Sequence, residues 1–376
     1  MLRNKDILEL KKRFKKESCT ITRMCGCYVD ANKNKVLELN ENFLNLEDEE
    51  FFKYLDIAKK TLSGTIGNNL LELHFASEEE EPGGKQQYLL GLRESGLKNP
   101  ELLEHLYDRI IENYDAVGNY LILVFHDVYD VITKTSDDLK IDESEEVFTY
   151  LLCAICPVNL SKPGLGYRAD LNRIGIRIQD WVVAAPDVGF LFPSFIERST
   201  DIHSLTYYVR DAKDSHRDFI EVALGCSAKR TATEEQNTFN SIVKTAIAPI
   251  IENSDDMLLE IQEKLNDIAE DHETAMEDLV IVEPEEFTLT TEIIKEVFTD
   301  SKIPDAAVMQ IQDHFTEEFS DKPPIVRNLV NEKAIEKKNK EKKELKLLEE
   351  VASLRQELKD TQHENEAVSY THLTLP

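Results

Sequence analysis

Residues 147–157 read VFTYLLCAICP, an apolar run rich in β-branched and aromatic side chains that predicts a strand. Similar short runs, separated by turns, lie at residues 120–125, 174–184, 188–192, 205–209 and 219–224. Most connections between these runs are short and carry no helical pattern, which favours an antiparallel or mixed sheet over a doubly wound parallel one. The sequence therefore predicts an α+β fold with helices flanking the sheet.

The N-terminal part of the chain combines helices with a hairpin. Residues 4–16 place apolar side chains on one side and Lys or Arg on the other, which predicts an amphipathic helix. Alternating residues 19–29, a turn and a short run at 36–40 predict a hairpin. The segments that follow are a helix at 48–63, a strand at 70–75 and helices at 86–97 and 100–114.

The part of the chain after residue 232 is predicted to be largely helical. Thr233 and Gln236, three residues apart, match a capping box at a helix start. The predicted elements are helices at 234–247, 255–271, 291–298 and 305–319 and a short strand at 279–282.

The tail, residues 325–367, is dominated by Lys and Glu. Its apolar residues are spaced four, three and four apart, as in a heptad seam: Leu347, Val351, Leu354 and Leu358. This stripe predicts either a short coiled coil that pairs two copies of the chain or a single solvated helix.

These patterns predict five segments along the chain. They are a basic amphipathic helix (1–18), an α+β core domain (19–232), a helical region packed on the core (233–322), the charged tail (325–367) and residues 368–376. The last segment, VSYTHLTLP, resembles the translation of a sequencing-library adapter, and we leave it out of the interpretation of the fold.

The composition limits the classes of partner. The chain has 376 residues and a formal net charge of −29, and such a field repels nucleic-acid phosphates and anionic lipids. No apolar run approaches the ~18 residues of a membrane span. The six cysteines lie in apolar runs, as is typical of free thiols in a reducing cytosol. We therefore expect a cytoplasmic protein, with nucleic-acid and membrane binding disfavoured.

Several stretches resemble one known family. They are KDILELKKRFKKESCTITRMCGCYVD (5–30), ENFLNLEDEEFFKYL (41–55), KKTLSGTIGNNLLEL (59–73), LLCAICPVNLSKPGLGY (151–167), DWVVAAPDVGFLFPSF (180–195) and RSTDIHSLTYY (198–208). Together they are similar to an uncharacterised bacterial family, domain of unknown function 4317, over most of residues 4–320. The resemblance implies no established activity, so no catalytic residue is carried over from it.

Charge is unevenly distributed along the chain. Residues 151–230 contain ten Lys or Arg and nine Asp or Glu, a net charge of +1 within a chain of −29. An anion is better tolerated in this region, where Asp201 and His203 are candidate catalytic groups. The competing interpretation is a polar loop that satisfies its own backbone donors. The candidate ligands of an anion are Arg168, Arg177, Arg198 and Arg210.

The cysteine pairs allow a second kind of site. Cys25, Cys27, Cys153 and Cys156 could supply the four thiolates of structural zinc. However, alternation along a strand would send Cys153 and Cys156 to opposite faces. Core cysteines are therefore the favoured interpretation, and no cofactor is predicted.

Two further features have ordinary structural explanations. His126-Asp127 resembles the metal dyad of phosphohydrolases, but the additional His ligands of those enzymes are not found in the sequence. Trp181 stands beside Val182 and Val183 and is predicted to belong to the core.

Three functions are compatible with these patterns. The favoured one is a cytosolic, non-enzymatic binding or regulatory protein that presents residues 151–230 to an unknown protein partner or a small anion. One alternative is an enzyme for a small anionic substrate, such as a phosphorylated one, with His203 as general acid or base beside Asp201 and Arg210. The other is an adaptor stabilised by zinc through the cysteine pairs. The charged tail is a further candidate contact for a partner.

Overall fold

A computed structural model describes residues 2–131, 146–250, 254–277, 286–299, 303–320 and 322–372. These residues form two compact units, Met1–Glu234 and Glu235–Pro376. The predicted strand at 279–282 lies outside the described residues.

The first unit contains a large sheet and helices on both of its faces. Its helices are α1 (Asn4–Arg13), α2 (Asp48–Thr61), α3 (Lys85–Glu94) and α4 (Pro100–Asn113). Short 3-10 turns lie at Phe43–Asn45 and Ser77–Glu79, and a π-helical turn at Phe219–Leu224. The strands are β1 (Ile21–Val29), β2 (Lys35–Asn42), β3 (Leu70–His74), β4 (Asn119–Val131), β5 (Glu146–Leu160), β6 (Leu165–Arg168), β7 (Arg173–Ile176), β8 (Trp181–Val183), β9 (Val188–Phe192), β10 (Ser194–Ile196), β11 (Ser199–Asp201) and β12 (Ser204–Val209).

Within the described residues, eight strands form one antiparallel sheet. The order is β2-β1-β4-β5-β9-β12-β3, and β8 pairs with the end of β5. Two small hairpins, β6–β7 and β10–β11, stand apart from this sheet. The predicted α+β class with flanking helices is confirmed.

Alternation along the strands builds a hydrophobic core on each face of the sheet. On β5, Cys153 and Ile155 face α3, α4 and the π-helical turn, whereas Tyr150 and Leu152 face α1 and α2. Gly189 in β9 permits close packing of α2, because a Cβ there would lie 2.5 Å from the Thr61 side chain. The two layers of helices therefore leave most of the sheet inaccessible to solvent.

The second unit is helical in its described residues. Its helices are α5 (Ala232–Ile247, which begins at the end of the first unit), α6 (Ser254–Glu277), α7 (Thr291–Thr299), α8 (Asp305–Phe319), α9 (Val326–Leu329) and α10 (Glu332–His372). Phe239, Ile261, Ile311 and Phe315 belong to a core that includes residues of α5, α6 and α8. The proposed heptad residues of α10 are exposed, and the coiled coil stays a prediction.

The strand predicted at 219–224 is wrong. Phe219, Ile220, Ala223 and Leu224 are the buried residues of this segment, and burial that recurs after four residues fits a helical turn, not a strand. Gly225 ends the turn with φ +71°, a left-handed conformation that suits glycine.

The predicted capping box is displaced by two residues. Thr231 Oγ1 accepts a hydrogen bond from Glu234 N–H at 3.0 Å, and Glu234 Oε2 accepts one from Thr231 N–H at 2.7 Å. Thr233 instead donates to Asn68 Oδ1 through its hydroxyl. The sequence offers two overlapping capping patterns, and the structure uses Thr231 with Glu234.

The prediction that Trp181 belongs to the core is also wrong. The Trp181 side chain is 55% exposed. All three residues of β8 are exposed, and the described pairings of this short strand are with the end of β5. The run predicted as one strand at 174–184 is divided between β7 and β8.

Candidate functional site

A cluster of carboxylates and histidines lies where β3 pairs with β12. The segment Leu70–His74 alternates, so Glu72 and His74 project to the side opposite Leu71 and Leu73. His74 stands opposite Ser204 in the register. This places both side chains near the end of β11, which leads into β12.

The ligand-type atoms of this cluster are close together. His74 Nε2 lies 3.4 Å from Glu72 Oε1, and candidate ligand atoms of Glu72, His74 and Asp201 all lie within 4.8 Å of one another. Glu72 Oε2 accepts a hydrogen bond from the Leu2 N–H at 2.5 Å. The backbone therefore orients the Glu72 carboxylate.

Asp201 and His203, the two predicted catalytic candidates, both belong to this neighbourhood. Asp201 Oδ1 accepts from the His203 backbone N–H at 3.0 Å, and Oδ2 accepts from the Ser204 hydroxyl at 2.6 Å. The His203 ring does not contact Asp201 through these bonds; its Nδ1 lies 3.0 Å from Glu80 Oε1. The His203 residue is exposed to solvent.

This arrangement can hold a cation. Two ligands bound tetrahedrally at about 2.0–2.2 Å from one ion are themselves roughly 3.4 Å apart, which matches the separation of Glu72 and His74. The carboxylates of Glu72, Asp201 and Glu80 oppose a bare anion. Sequence analysis found Asp201 but missed Glu72 and His74; the polar side of the LELH alternation is the signal that could have identified them.

The four predicted anion ligands are not gathered around this cluster. Arg210 follows the far end of β12, about 20 Å from Ser204 at ~3.3 Å per residue, and its Nη2 lies 2.6 Å from Asp187 Oδ1. Arg198 Nη2 lies 3.2 Å from Glu9 Oε1 in an ion pair. Arg168 and Arg177 belong to the β6–β7 hairpin, where Arg168 forms an ion pair with Asp170 at 2.8 Å.

The four cysteines proposed for zinc are also separated. Cys25 and Cys153 stand opposite the same residue of β4, Val124, so two strand spacings of about 4.8 Å divide them. Cys153 belongs to the core under α3 and α4, whereas Cys156, three residues on, is on the opposite face. Burial raises the pKa of Cys27 to about 11 and that of Cys156 to about 12, so both remain thiols at neutral pH.

His126 and Asp127 are neighbours on β4 whose side chains face opposite sides of the sheet, and each makes its own buried polar contact. Asp127 accepts a hydrogen bond from the Tyr150 hydroxyl at 2.5 Å, and Thr22 Oγ1 lies 3.0 Å from His126 Nδ1. Burial raises the pKa of Tyr150 well above its usual range, and the Asp127 carboxylate adds to this effect. Burial lowers the pKa of His126. These contacts explain both residues as parts of the core.

A second candidate surface is the segment 161–180, which we call the arm. It leaves β5, forms the β6–β7 hairpin and returns to β8. Its base is closed by hydrogen bonds from Ser161 N–H to the Asp180 carbonyl at 2.8 Å and from Asp180 N–H to Ser161 Oγ at 3.1 Å. The arm is therefore an ordered hairpin rather than an irregular loop.

The two faces of the arm differ in chemistry. Leu165 pairs with Ile176 and Tyr167 with Ile174, so these four side chains share one face, and they are 76, 78, 63 and 65% exposed. The other face carries Gly166 and Gly175, and a Cβ built on either glycine would lie within 4 Å of an arginine side chain of the arm. The arm is thus apolar and exposed on one face and rich in arginine on the other.

A groove lies between α2 and the sheet, and one of its residues, Val183, belongs to β8, the strand that follows the arm. Tyr54, Ile57, Leu121 and Val183 line it, with Glu49, Glu50 and Lys53 at its rim, and its volume is about 340 Å³. Val183 pairs with Val158 and Trp181 with Leu160, so Leu160, Trp181 and Val183 form an apolar strip on the groove's face of the sheet. Sequence analysis missed both surfaces, because it predicted a single strand at 174–184 and placed Trp181 in the core.

The described residues include no helix that combines the length and the apolar character needed to cross a membrane. One protein-family model, described as domain of unknown function (DUF4317), matches residues 2–363. The match extends further than the resemblance predicted from sequence and includes most of the charged tail. No curated protein matches the chain.

Proposed function

The chain belongs to the DUF4317 family, and we propose that it is a cytosolic, non-enzymatic binding protein that contacts a protein partner through the arm. The observation that carries this proposal is the exposed apolar face formed by Leu165, Tyr167, Ile174 and Ile176. Six free cysteines support the cytosolic part of the proposal, because such thiols persist in a reducing compartment.

The exposed apolar surface is large for a chain that stays free in water. The arm and the adjoining strands carry ten large apolar side chains that are exposed: Leu160, Leu165, Tyr167, Leu171, Ile174, Ile176, Ile178, Trp181, Val182 and Val183. With areas of about 150–250 Å² for aromatic side chains and somewhat less for aliphatic ones, they expose on the order of 1,000 Å². Alternation turns Val182 away from Trp181 and Val183, so this area is divided between faces of the strand; a single apolar patch of about 300–600 Å² is already often functional in a soluble monomer.

The charge of the arm favours a protein partner with an acidic surface. The arm contains four Lys or Arg and two Asp, a net charge of +2 in a chain of −29. A positive element on a strongly negative protein attracts carboxylates at short range, while the field of the remaining chain repels polyanions such as nucleic acids.

Affinity capture tests this proposal. The full chain and its double variant Ile174→Ser/Ile176→Ser are used as bait in a lysate of the source organism, with mass spectrometry of the retained proteins. Val36→Ser/Leu37→Ser is the matched control, because Val36 and Leu37 are exposed apolar residues of the edge strand β2. We expect specific partners to be retained by the wild type and the control and lost from the arm variant. Identical retention by all three baits would refute the proposal.

A second candidate function is cation-dependent binding or turnover of a small anion at Glu72, His74 and Asp201. The specific observation is the 3.4 Å separation of Glu72 Oε1 from His74 Nε2, with Asp201 within reach of the same point. A bound cation would offset the carboxylates and attract the anion, and His203 stands beside Asp201 as an acid or base.

Calorimetric titration with Zn²⁺ and Mn²⁺ tests this candidate. His74→Ala and Asp201→Asn are each expected to weaken binding by at least about tenfold, as loss of one ligand requires. His105→Ala removes a different exposed histidine, on α4, and is expected to leave binding unchanged. Equal weakening by all three substitutions, or no binding by the wild type, would exclude the cation site.

A further inference from the structure

We propose that the partner of the arm is a second copy of this chain, whose groove between α2 and β8 receives the apolar face of the arm. This inference rests on the proposed function and names its partner. It is carried by the complementarity of the two surfaces, by their adjacency in the fold and by the area that they leave exposed.

The groove complements the arm in shape and in charge. Its floor is apolar, formed by Tyr54, Ile57, Leu121 and Val183, and Glu49 and Glu50 give its rim an acidic side. The arm presents a ribbon of aliphatic and aromatic side chains with a net charge of +2. An apolar ridge with basic edges therefore meets an apolar groove with an acidic edge, and long arginine side chains can reach around a ribbon of two strands to the rim.

The chain's own arm does not fill its own groove. Leu165 and Ile176 are more than 75% exposed, which excludes packing of this face against the described residues of the same chain. The described pairings of β8 involve β5 alone. The second edge of β8 is thus available to an incoming strand beside the groove.

Position in the fold favours a reciprocal pair. The arm ends at Asp180 and β8 begins at Trp181. The arm and the groove that would receive the arm of a second copy are therefore neighbours in the chain. A twofold axis near β8 would place each arm in the groove of the other copy, with the same contacts made twice. The apolar face of the arm and the strip of Leu160, Trp181 and Val183 supply most of the exposed apolar area of the arm and its adjoining strands, which is of the same order as the about 800 Å² that each partner buries in a standard interface.

The self-association of the purified full chain tests the inference by analytical ultracentrifugation up to roughly 100 µM, where a micromolar Kd would give mostly dimer. We expect the wild type to dimerise and Ile174→Ser/Ile176→Ser to raise the dimer Kd by at least about tenfold. Two double variants serve as controls that should dimerise like the wild type. Val36→Ser/Leu37→Ser removes exposed apolar residues of β2, and Leu347→Gln/Leu354→Gln replaces two of the four heptad residues of α10.

Charge substitutions at the rim of the groove distinguish a local attraction between rim and arm from the general repulsion between two negatively charged chains. Glu49→Lys/Glu50→Lys should weaken the dimer and Lys53→Glu should tighten it, because the arm is basic. General repulsion between two chains of −29 each predicts the opposite order, since the first change lowers the net negative charge and the second raises it.

A photo-crosslinking amino acid at position 176 locates the contact directly. In a mixture of ¹⁵N-labelled and unlabelled chains, we expect mixed-isotope crosslinks that map to α2 and β8 and none from the same probe at position 36. A wild type that stays monomeric, a dimer unaffected by Ile174→Ser/Ile176→Ser, or crosslinks that map elsewhere would each overturn the inference. If capture from a lysate still depends on the arm in such a case, the proposed function stands and only the identity of the partner is wrong.

Discussion

Tyr167 and Ile174 stand opposite each other in the arm, and nearly two thirds of each side chain is exposed to solvent. An apolar cross-strand pair usually stabilises a sheet by covering a core, and this pair covers none within the described part of the chain. The pair therefore leaves an apolar surface exposed, as the proposed function requires.

If the arm serves binding alone, its apolar face contributes little to stability. We predict that Ile174→Ser/Ile176→Ser changes the free energy of unfolding of the monomer by less than about 0.5 kcal/mol, as surface substitutions usually do. Urea denaturation at low protein concentration measures this. Loss of several kcal/mol would mean that the arm packs against the body, which the proposed function does not allow.

The buried contact between Tyr150 and Asp127 gives a second prediction. Tyr150→Phe removes the donor that lies 2.5 Å from Asp127 Oδ2 and should lower the free energy of unfolding by about 1–3 kcal/mol. Tyr120→Phe is the matched control, because the buried Tyr120 hydroxyl has no hydrogen-bond partner among the described residues. The control should be neutral or slightly stabilising, and equal losses in both variants would contradict the assigned contact.

The buried imidazole of His126 predicts a dependence on pH. Burial lowers its pKa below the ordinary 6.5, so the unfolded chain binds this proton more readily than the folded one. Its contribution to stability is complete above about pH 6.5 and is lost as the pH falls through the lower, folded-state value. Denaturation at about pH 7.5 and about pH 5.5 should therefore show a larger loss in the wild type than in His126→Gln. A difference between the two proteins that is constant with pH would argue against a buried neutral His126.

The cysteines should be inert in the folded protein. Burial raises the pKa of Cys27 and Cys156 and also that of Cys25, Cys153 and Cys226, so few thiolates form at about pH 8. We predict slow alkylation of these five by iodoacetamide in the native state and rapid alkylation of all six in denaturant, measured by mass. Rapid native alkylation of Cys153 would contradict its burial.

Local patterns predicted the sheet and most helices because each element satisfies its own periodicity. The hairpin of β1 and β2 and the strands β4, β5, β9 and β12 alternate or form short β-branched and aromatic runs bounded by turns, which favours strands. The segment 219–224 was misassigned because a run with five apolar residues out of six is compatible with a strand or a helical turn, and only the packing of Phe219 and Leu224 decides between them.

The candidate sites were less predictable, because they depend on contacts distant in sequence. Asp201 could be proposed from its polar neighbours, but its approach to Glu72 and His74 requires the pairing of β3 with β12. The exposure of Trp181 could not be derived from its apolar neighbours, since the same side chains would serve a core equally well. The register of β3 with β12 decides the first case, and the position of β8 at the end of β5 decides the second. Neither follows from local sequence patterns.

The fluorescence of Trp181 reports directly on the proposed contact between two copies, because Trp181 is the chain's only tryptophan and lies in the strip beside the groove. We predict that emission shifts to shorter wavelength and that acrylamide quenching decreases as concentration rises, in parallel with a doubling of mass, and that Ile174→Ser/Ile176→Ser abolishes both changes. Emission from a solvent-exposed indole at every concentration, with or without a doubling of mass, would show that the arm does not bind in the groove of a second copy.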